Sequence, residues 1–138
     1  VRHSEYNAEE HIDLKLLQIW LFSNKREVKP RYQQIPIKSL EQKNDFYQVL
    51  SPNKDDQGVW IHQNAWFHMG TFELDKKLDY QIRSKGNGLY AFMIEGEAVI
   101  NGQHLEQRDG FGLWNINELN IAAKKGAKIL LMEVPMNL

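Results

Sequence analysis

LYAFMIEGEAVING, running from Leu89 to Gly102, is the stretch whose reading decides the fold. Leu89 to Ile94 is the longest unbroken apolar run of the chain, and at six residues it is too short to span a bilayer. Its length and its bounding glycines suit a buried strand. Glu95-Gly96-Glu97 breaks the run, Ala98 to Ile100 resumes it, and Asn101-Gly102 is a hairpin signal, because a type I′ turn needs positive φ at both central positions. Strand, turn and strand therefore follow one another here.

The same rhythm continues on both sides. Upstream, Val59–Ile61, Ala65–Leu74 and Leu78–Ile82 are short β-type runs, with a glycine-bearing turn at Lys85 to Gly88. Downstream, Asp109-Gly110 marks a turn before Phe111 to Trp114. Leu119–Ala122 and Ile129–Val134 follow, separated by the Lys124-Lys125-Gly126 turn. Ser51 to Gly58 is a loop by its turn chemistry, and Ser39 to Phe46 is expected to form one short helix. Many short strands at regular spacing predict an all-β sandwich or barrel.

Nearer the start, Leu14 to Phe22 is apolar on both faces when read as a strand. Leu14, Leu16, Trp20 and Phe22 share one face; Leu17, Ile19 and Leu21 share the other. That pattern predicts a strand buried on both sides, with a helix as the alternative for so short a run. Ser23 to Gln34 is polar, contains Pro30 and reads as a linker. The chain opens at Val1 and is inside a motif within three residues, from which a piece of a longer chain is expected.

Composition excludes several classes of function. Seventeen basic and eighteen acidic residues leave a net charge of −1, without the basic excess that drives phosphate binding. Lys76-Lys77 and Lys124-Lys125 read as solvated turns, since doublets do not make a nucleic-acid surface. There is no cysteine, so disulfides, thiolate ligands and thiol nucleophiles are absent. A cytoplasmic protein with neither membrane nor direct nucleic-acid contact is expected.

Three stretches carry a family resemblance. Arg2-His3-Ser4-Glu5-Tyr6-Asn7 resembles the His-Ser-Glu motif that ends the N-terminal cupin of pirins. Leu17-Gln18-Ile19-Trp20, followed by Pro30-Arg31-Tyr32-Gln33, is similar to the last strand and exit linker of that barrel. The remainder, from Gly58-Val59-Trp60-Ile61-His62-Gln63 to Leu130-Leu131-Met132-Glu133-Val134-Pro135, looks like the second cupin of the short bacterial members.

The resemblance implies an all-β cupin (jelly-roll-like) barrel over residues 37–138. Residues 1–36 would be a remnant of a preceding, mostly missing cupin and its linker. It further implies that the intact protein is a bicupin with one metal, usually iron, in the N-terminal barrel. Bacterial members are described as flavonol (quercetin) 2,3-dioxygenases, and eukaryotic ones as iron- and redox-sensitive transcriptional coregulators. Carried onto this chain, the metal ligands are His3 and Glu5, with Glu5 also a candidate catalytic base. The earlier histidine pair of the family has no counterpart here. Fe(II) or another divalent metal would belong to the intact protein, with a flavonol-like ligand, and this piece would bind no metal of its own and be catalytically inactive. A binding, scaffold or coregulator module without turnover is the alternative.

Residue chemistry bears on the same sites. His3 and Glu5 are two apart, so on a strand their side chains point the same way from Cα atoms about 6–7 Å apart. An imidazole with a carboxylate suits Fe(II), whose usual non-haem oxygenase set has two histidines and one carboxylate. Taken alone, the pair also reads as two polar residues on a frayed terminus. His11, His62, His68 and His104 are expected to be structural or superficial. Where active cupins place two histidines this chain has Tyr80, Gln81, Ile82 and Arg83, and Phe111-Gly112-Leu113-Trp114-Asn115 offers no imidazole, so a metal-free second barrel is expected. Trp60, Trp66, Phe67, Tyr90, Phe92, Phe111 and Trp114 line either a pocket for a flat aromatic ligand or, as favoured here, the barrel core and the contact with the missing first barrel. An apolar strand edge at Leu14–Phe22 recruits cover, from this chain's own barrel or from a second copy by dimerisation or strand exchange.

Overall fold

The computed structural model describes residues 3–136. Among them are ten strands: β1 (Phe46–Ser51), β2 (Val59–Trp60), β3 (Trp66–Thr71), β4 (Lys76–Gln81), β5 (Asn87–Glu95), β6 (Ala98–Ile100), β7 (Gln103–Leu105), β8 (Gly110–Leu113), β9 (Glu118–Ala123) and β10 (Lys128–Pro135). They form a six-stranded sheet in the order β2-β1-β3-β10-β5-β8 and a four-stranded sheet in the order β4-β9-β6-β7. The expected all-β sandwich is present. Among the described residues no helix is long and apolar enough to cross a membrane.

Side-chain alternation assigns the two faces of the larger sheet. Leu89, Ala91 and Met93 of β5 and Ile129 and Leu131 of β10 join Tyr80, Leu119, Ile121 and Ile100 of the smaller sheet in the main core. Their odd-numbered parity puts Glu133 on that same inner face. The opposite face carries a second apolar cluster, Tyr47, Phe67, Met69 and Leu130, flanked by Phe92, Ile94, Met132 and Val134. The central strands are thus apolar on both sides, which explains why β5 and β10 read as continuous runs rather than alternating ones.

The turns fall where their chemistry puts them. Asn101 and Gly102 both adopt positive φ, 47° and 82°, in the β6–β7 hairpin. Gly126 does the same between β9 and β10, at 88°. Gly58 (φ 90°) closes the loop before β2, where an added Cβ would stand 2.3 Å from the Val49 carbonyl oxygen. Only glycine fits there.

Four expectations are corrected. Ser39–Phe46 is not a helix: a single 3-10 turn spans Ile37–Ser39, and Phe46 already opens β1. Asn44 at φ 58° ends any helical path, and its Oδ1 accepts from the Glu73 backbone N–H at 2.8 Å, tying the segment to the sheet. Lys76-Lys77 is not a turn but the exposed start of β4, paired with Ala123 and Ala122. Asp109-Gly110 is displaced by one residue, since Arg108 takes the positive φ and Gly110 begins β8.

Leu14–Phe22 is neither a strand nor buried. It has no regular secondary structure and lies largely in solvent, with Trp20 78% and Phe22 77% exposed; Leu21 packs against the outer face of the larger sheet. A strand exists only where a second backbone supplies its ladder, and this segment pairs with none of the described strands. The linker that follows is docked on the sandwich by polar contacts. Asn24 N–H donates to the His62 carbonyl (2.6 Å), Gln63 Nε2 to the Phe22 carbonyl (2.9 Å), and the Arg31 guanidinium lies 4.1 Å from the Trp60 ring centroid while donating to the Trp60 carbonyl.

Candidate functional site

Two places gather chemistry. The first is the pair singled out by motif. His3 Nε2 stands 4.0 Å from Glu5 Oε1, both side chains are more than half exposed, and they face a cleft of about 460 Å³ walled by Leu17 to Phe22. Two donors each about 2.1 Å from one ion stand about 3.4 Å apart in tetrahedral geometry, so the pair would have to close by roughly half an ångström to share one. Among the described residues no third histidine, cysteine or carboxylate joins them. Among the described residues the pair is not part of a complete centre.

The second place lies inside the sandwich, where the resemblance put Tyr80 and Arg83 in the positions of lost metal histidines. Five elements meet at one end of the barrel: β3 brings His68, β4 brings Tyr80, the β4–β5 loop brings Arg83 and Ser84, β5 opens with Asn87, and β10 brings Glu133. Glu133 is wholly buried, and its carboxylate is fully occupied. Oε2 accepts from the Tyr80 hydroxyl (3.0 Å) and the Arg83 backbone N–H (2.9 Å). Oε1 accepts from the Ser84 backbone N–H (3.0 Å) and Asn87 Nδ2 (2.8 Å). A buried carboxylate is tolerable only when so surrounded.

This fixes the direction of the remaining bonds. A carboxylate only accepts, so the Tyr80 proton points at Glu133 and the Tyr80 oxygen is free to accept from His68 Nδ1 at 3.2 Å. With its proton on Nδ1, His68 presents a lone pair at Nε2, which takes a donor from Arg83 Nη2 at 3.4 Å. The imidazole tautomer is thus assigned from the network. His68 is 3% exposed, and burial, reinforced by the Arg83 charge, lowers its pKa to about 4, so it is neutral at pH 7. Burial and the Glu133 charge push the Tyr80 phenol well above its ordinary value. The relay Arg83–His68–Tyr80–Glu133 holds fixed protons.

Outside this wall the relay ends on a cleft of about 430 Å³ formed by Gln48, Asn53, Asp56, Gln57, Trp66 and Arg83. Asn53 Nδ2 donates to Asp56 Oδ2 (3.1 Å), and Gln48 Nε2 to the Gln57 carbonyl (2.9 Å). Hydrogen bonds from Asn53 and Ser51, with a smaller contribution from the Arg83 charge, hold the Asp56 carboxyl below its usual range.

The other expected residues are dispersed. His62 stacks edge-on against Trp60 (centroids 4.8 Å apart), His104 Nε2 lies 3.1 Å from Glu97 Oε2 on the surface, and His11 is exposed. The aromatic residues do not line one pocket: Phe67 belongs to the outer apolar cluster, Phe111 packs on the main core, and Tyr90 and Trp114 are exposed. Glu133 stands in the sequence as the one charged residue of the apolar closing run Ile129–Val134. Its signal was available, since one charge among Ile129, Leu130, Leu131, Met132 and Val134 on core parity marks a carboxylate that needs partners.

The family model described as the quercetinase C-terminal cupin domain matches residues 48–134. The chain belongs to the pirin family, through its C-terminal cupin. This pirin-family chain is 28% identical over 135 residues to the quercetin 2,3-dioxygenase of Escherichia coli, covering 98% of the chain and 57% of that protein. It is 25% identical over 134 residues to a pirin-like protein of Caulobacter vibrioides, covering 96% and 57%. It therefore spans a little over half the length of these relatives. Among solved structures, YhhW from Escherichia coli superposes with a TM-score of 0.75 at 23% identity, covering 84% of this chain and 48% of YhhW. The nickel(II) complex of the same bacterial pirin gives 0.73 at 23% identity, covering 82% and 47%. At that identity the likeness establishes the cupin fold. Both the buried relay and the cleft fall within the matched cupin.

Proposed function

We propose that this chain is the C-terminal part of a bicupin whose intact form is a metal-dependent oxidoreductase of the quercetin (flavonol) 2,3-dioxygenase type, and that the chain by itself is catalytically inactive. The observation that carries the reading is the alignment of 98% of the chain onto 57% of the Escherichia coli quercetin 2,3-dioxygenase. On this reading residues 1–36 are the remnant of the first cupin with its linker, and residues 37–138 are the second cupin. His3 and Glu5 supply part of the set for Fe(II) or another divalent ion, Glu5 doubling as a base toward a flavonol-like substrate, in a cytoplasmic protein. Their 4.0 Å spacing supports a shared role; so does the nickel(II) complex known for a bacterial pirin.

Metal analysis and oxygen uptake with quercetin, run on the 138-residue chain and on a chain extended to the relatives' length, test this. The extended chain is expected to hold metal and consume oxygen, and the short chain to do neither. Stoichiometric metal with turnover on the short chain would sink the reading.

A binding, scaffold or coregulator module without turnover is the second reading, favoured by the exposed apolar side chains of Leu14, Leu16, Trp20 and Phe22. A second copy of the chain is the occupant that would match them, by dimerisation or strand exchange through Leu14–Phe22. Light scattering after size exclusion would then give a dimer; a monomer counts against it.

A further inference from the structure

The buried carboxylate of Glu133 is costly to a small barrel, and two of its four hydrogen bonds go to the β4–β5 loop, from the N–H groups of Arg83 and Ser84, with a third from Asn87 where that loop enters β5. What that loop presents is the Arg83 guanidinium. One of its nitrogens reaches inward to His68 Nε2, and the group also forms part of the cleft wall. Asp56, steered by Asn53, lines the same cleft. The ion pairs formed among the described residues are His3–Glu5, Lys43–Glu73, His104–Glu97 and Lys124–Asp75, so the opposite charges of Arg83 and Asp56 share a cleft without touching each other. Trp66 adds an apolar wall, and Gln48 and Asn53 add side-chain amides.

We infer that this cleft binds a small zwitterion of the α-amino acid class, with the carboxylate on Arg83, the ammonium on Asp56 and the side chain against Trp66. Guanidinium binds carboxylate through paired donors in a planar fork. A carboxylate within reach of the ammonium satisfies the other end, and a simple anion would meet Asp56 as a like charge. A cleft of about 430 Å³ is of the size that holds a small molecule. Glu133 acts here as a positioning residue, because it touches the loop backbone rather than the ligand. The site lies on the second barrel and does not depend on the dioxygenase reading.

The experiment is a titration of the full 138-residue chain followed by amide and indole nuclear magnetic resonance signals. The Trp66 indole is assigned through Trp66→Phe. The probes are L-alanine and L-phenylalanine as zwitterions, propionate as the bare carboxylate and ethylamine as the bare ammonium. Both amino acids are expected to saturate in the millimolar range and move the signals of Trp66, Arg83 and Asp56, with each half-ligand weaker by about tenfold or more. Arg83→Gln should weaken both amino acids by about tenfold. Asp56→Asn should weaken them while strengthening propionate, a reversal that a structural role for Asp56 would not produce. Both positions are exposed, so the variants should fold, and the dispersion of the amide spectrum verifies it. Absence of saturable shifts with either amino acid, propionate binding as well as L-alanine, or unchanged affinity in Arg83→Gln would each overturn the assignment.

Discussion

Glu133→Gln is the sharpest perturbation of this molecule, because it changes one atom and removes one charge at a site with no solvent. Each carboxylate oxygen accepts two donors: Tyr80 and Arg83 N–H on Oε2, Ser84 N–H and Asn87 on Oε1. An amide nitrogen in either place faces two donors with a third. At the Oε1 side the Asn87 amide can flip to accept through its Oδ1, but it then gives up its bond to the Asn64 carbonyl, and the Ser84 N–H is left without an acceptor. At the Oε2 side the Tyr80 hydroxyl can rotate to accept, but it must then donate to His68 Nδ1. That drives the imidazole proton to Nε2, against Arg83 Nη2. Either route breaks two interactions. Hydrogen bonds to charged groups are worth about 1.5–3 kcal/mol each, so the loss should be roughly 3–5 kcal/mol. That is a large share of the about 5–15 kcal/mol typical of a domain. Urea denaturation followed by tryptophan fluorescence measures it: with a slope of about 2 kcal/mol per molar, the midpoint should fall by roughly 2 M. Tyr80→Phe in a double-mutant cycle with Glu133→Gln should show strong coupling, since the two changes break the same bond. A midpoint shift below about 0.5 M, or additive effects in the cycle, would refute the claim that the relay anchors the barrel end.

Two further outcomes follow from the same structure. His68 has its folded pKa lowered from 6.5 to about 4, so the unfolded chain takes up a proton before the folded one does. Stability is therefore full above about pH 6.5 and falls as the pH drops toward about 4, by roughly 3 kcal/mol in all; His68→Gln should flatten that part of the profile, and an unchanged slope would count against the buried neutral imidazole. Gly58→Ala places a Cβ 2.3 Å from the Val49 carbonyl at φ 90° and should cost more than about 3 kcal/mol, whereas Gly102→Ala, with φ 82° but open space around it, should cost only about 1–2 kcal/mol. Thermal melts of the two variants compare them directly; equal melting temperatures would show that the close approach at Gly58 is relieved by backbone movement.

Turn chemistry and apolar runs are local properties, and wherever they decide the outcome the sequence alone was sufficient. Asn101-Gly102, Lys124 to Gly126 and the Ser51 to Gly58 loop are where their residues require, and Leu89–Ile94, Ala98–Ile100 and Ile129–Val134 are strands. Where a partner decides, local pattern misleads. Leu14–Phe22 has the composition of a buried strand but pairs with none of the described strands, while the mixed segment beginning at Phe46 becomes β1 because β3 supplies its ladder. The buried relay is the extreme case. His68, Tyr80, Arg83 and Glu133 come from separate elements, and no spacing in the chain relates them. Only the closing of two sheets around one apolar core brings them together, because a buried carboxylate must find every one of its donors inside the protein.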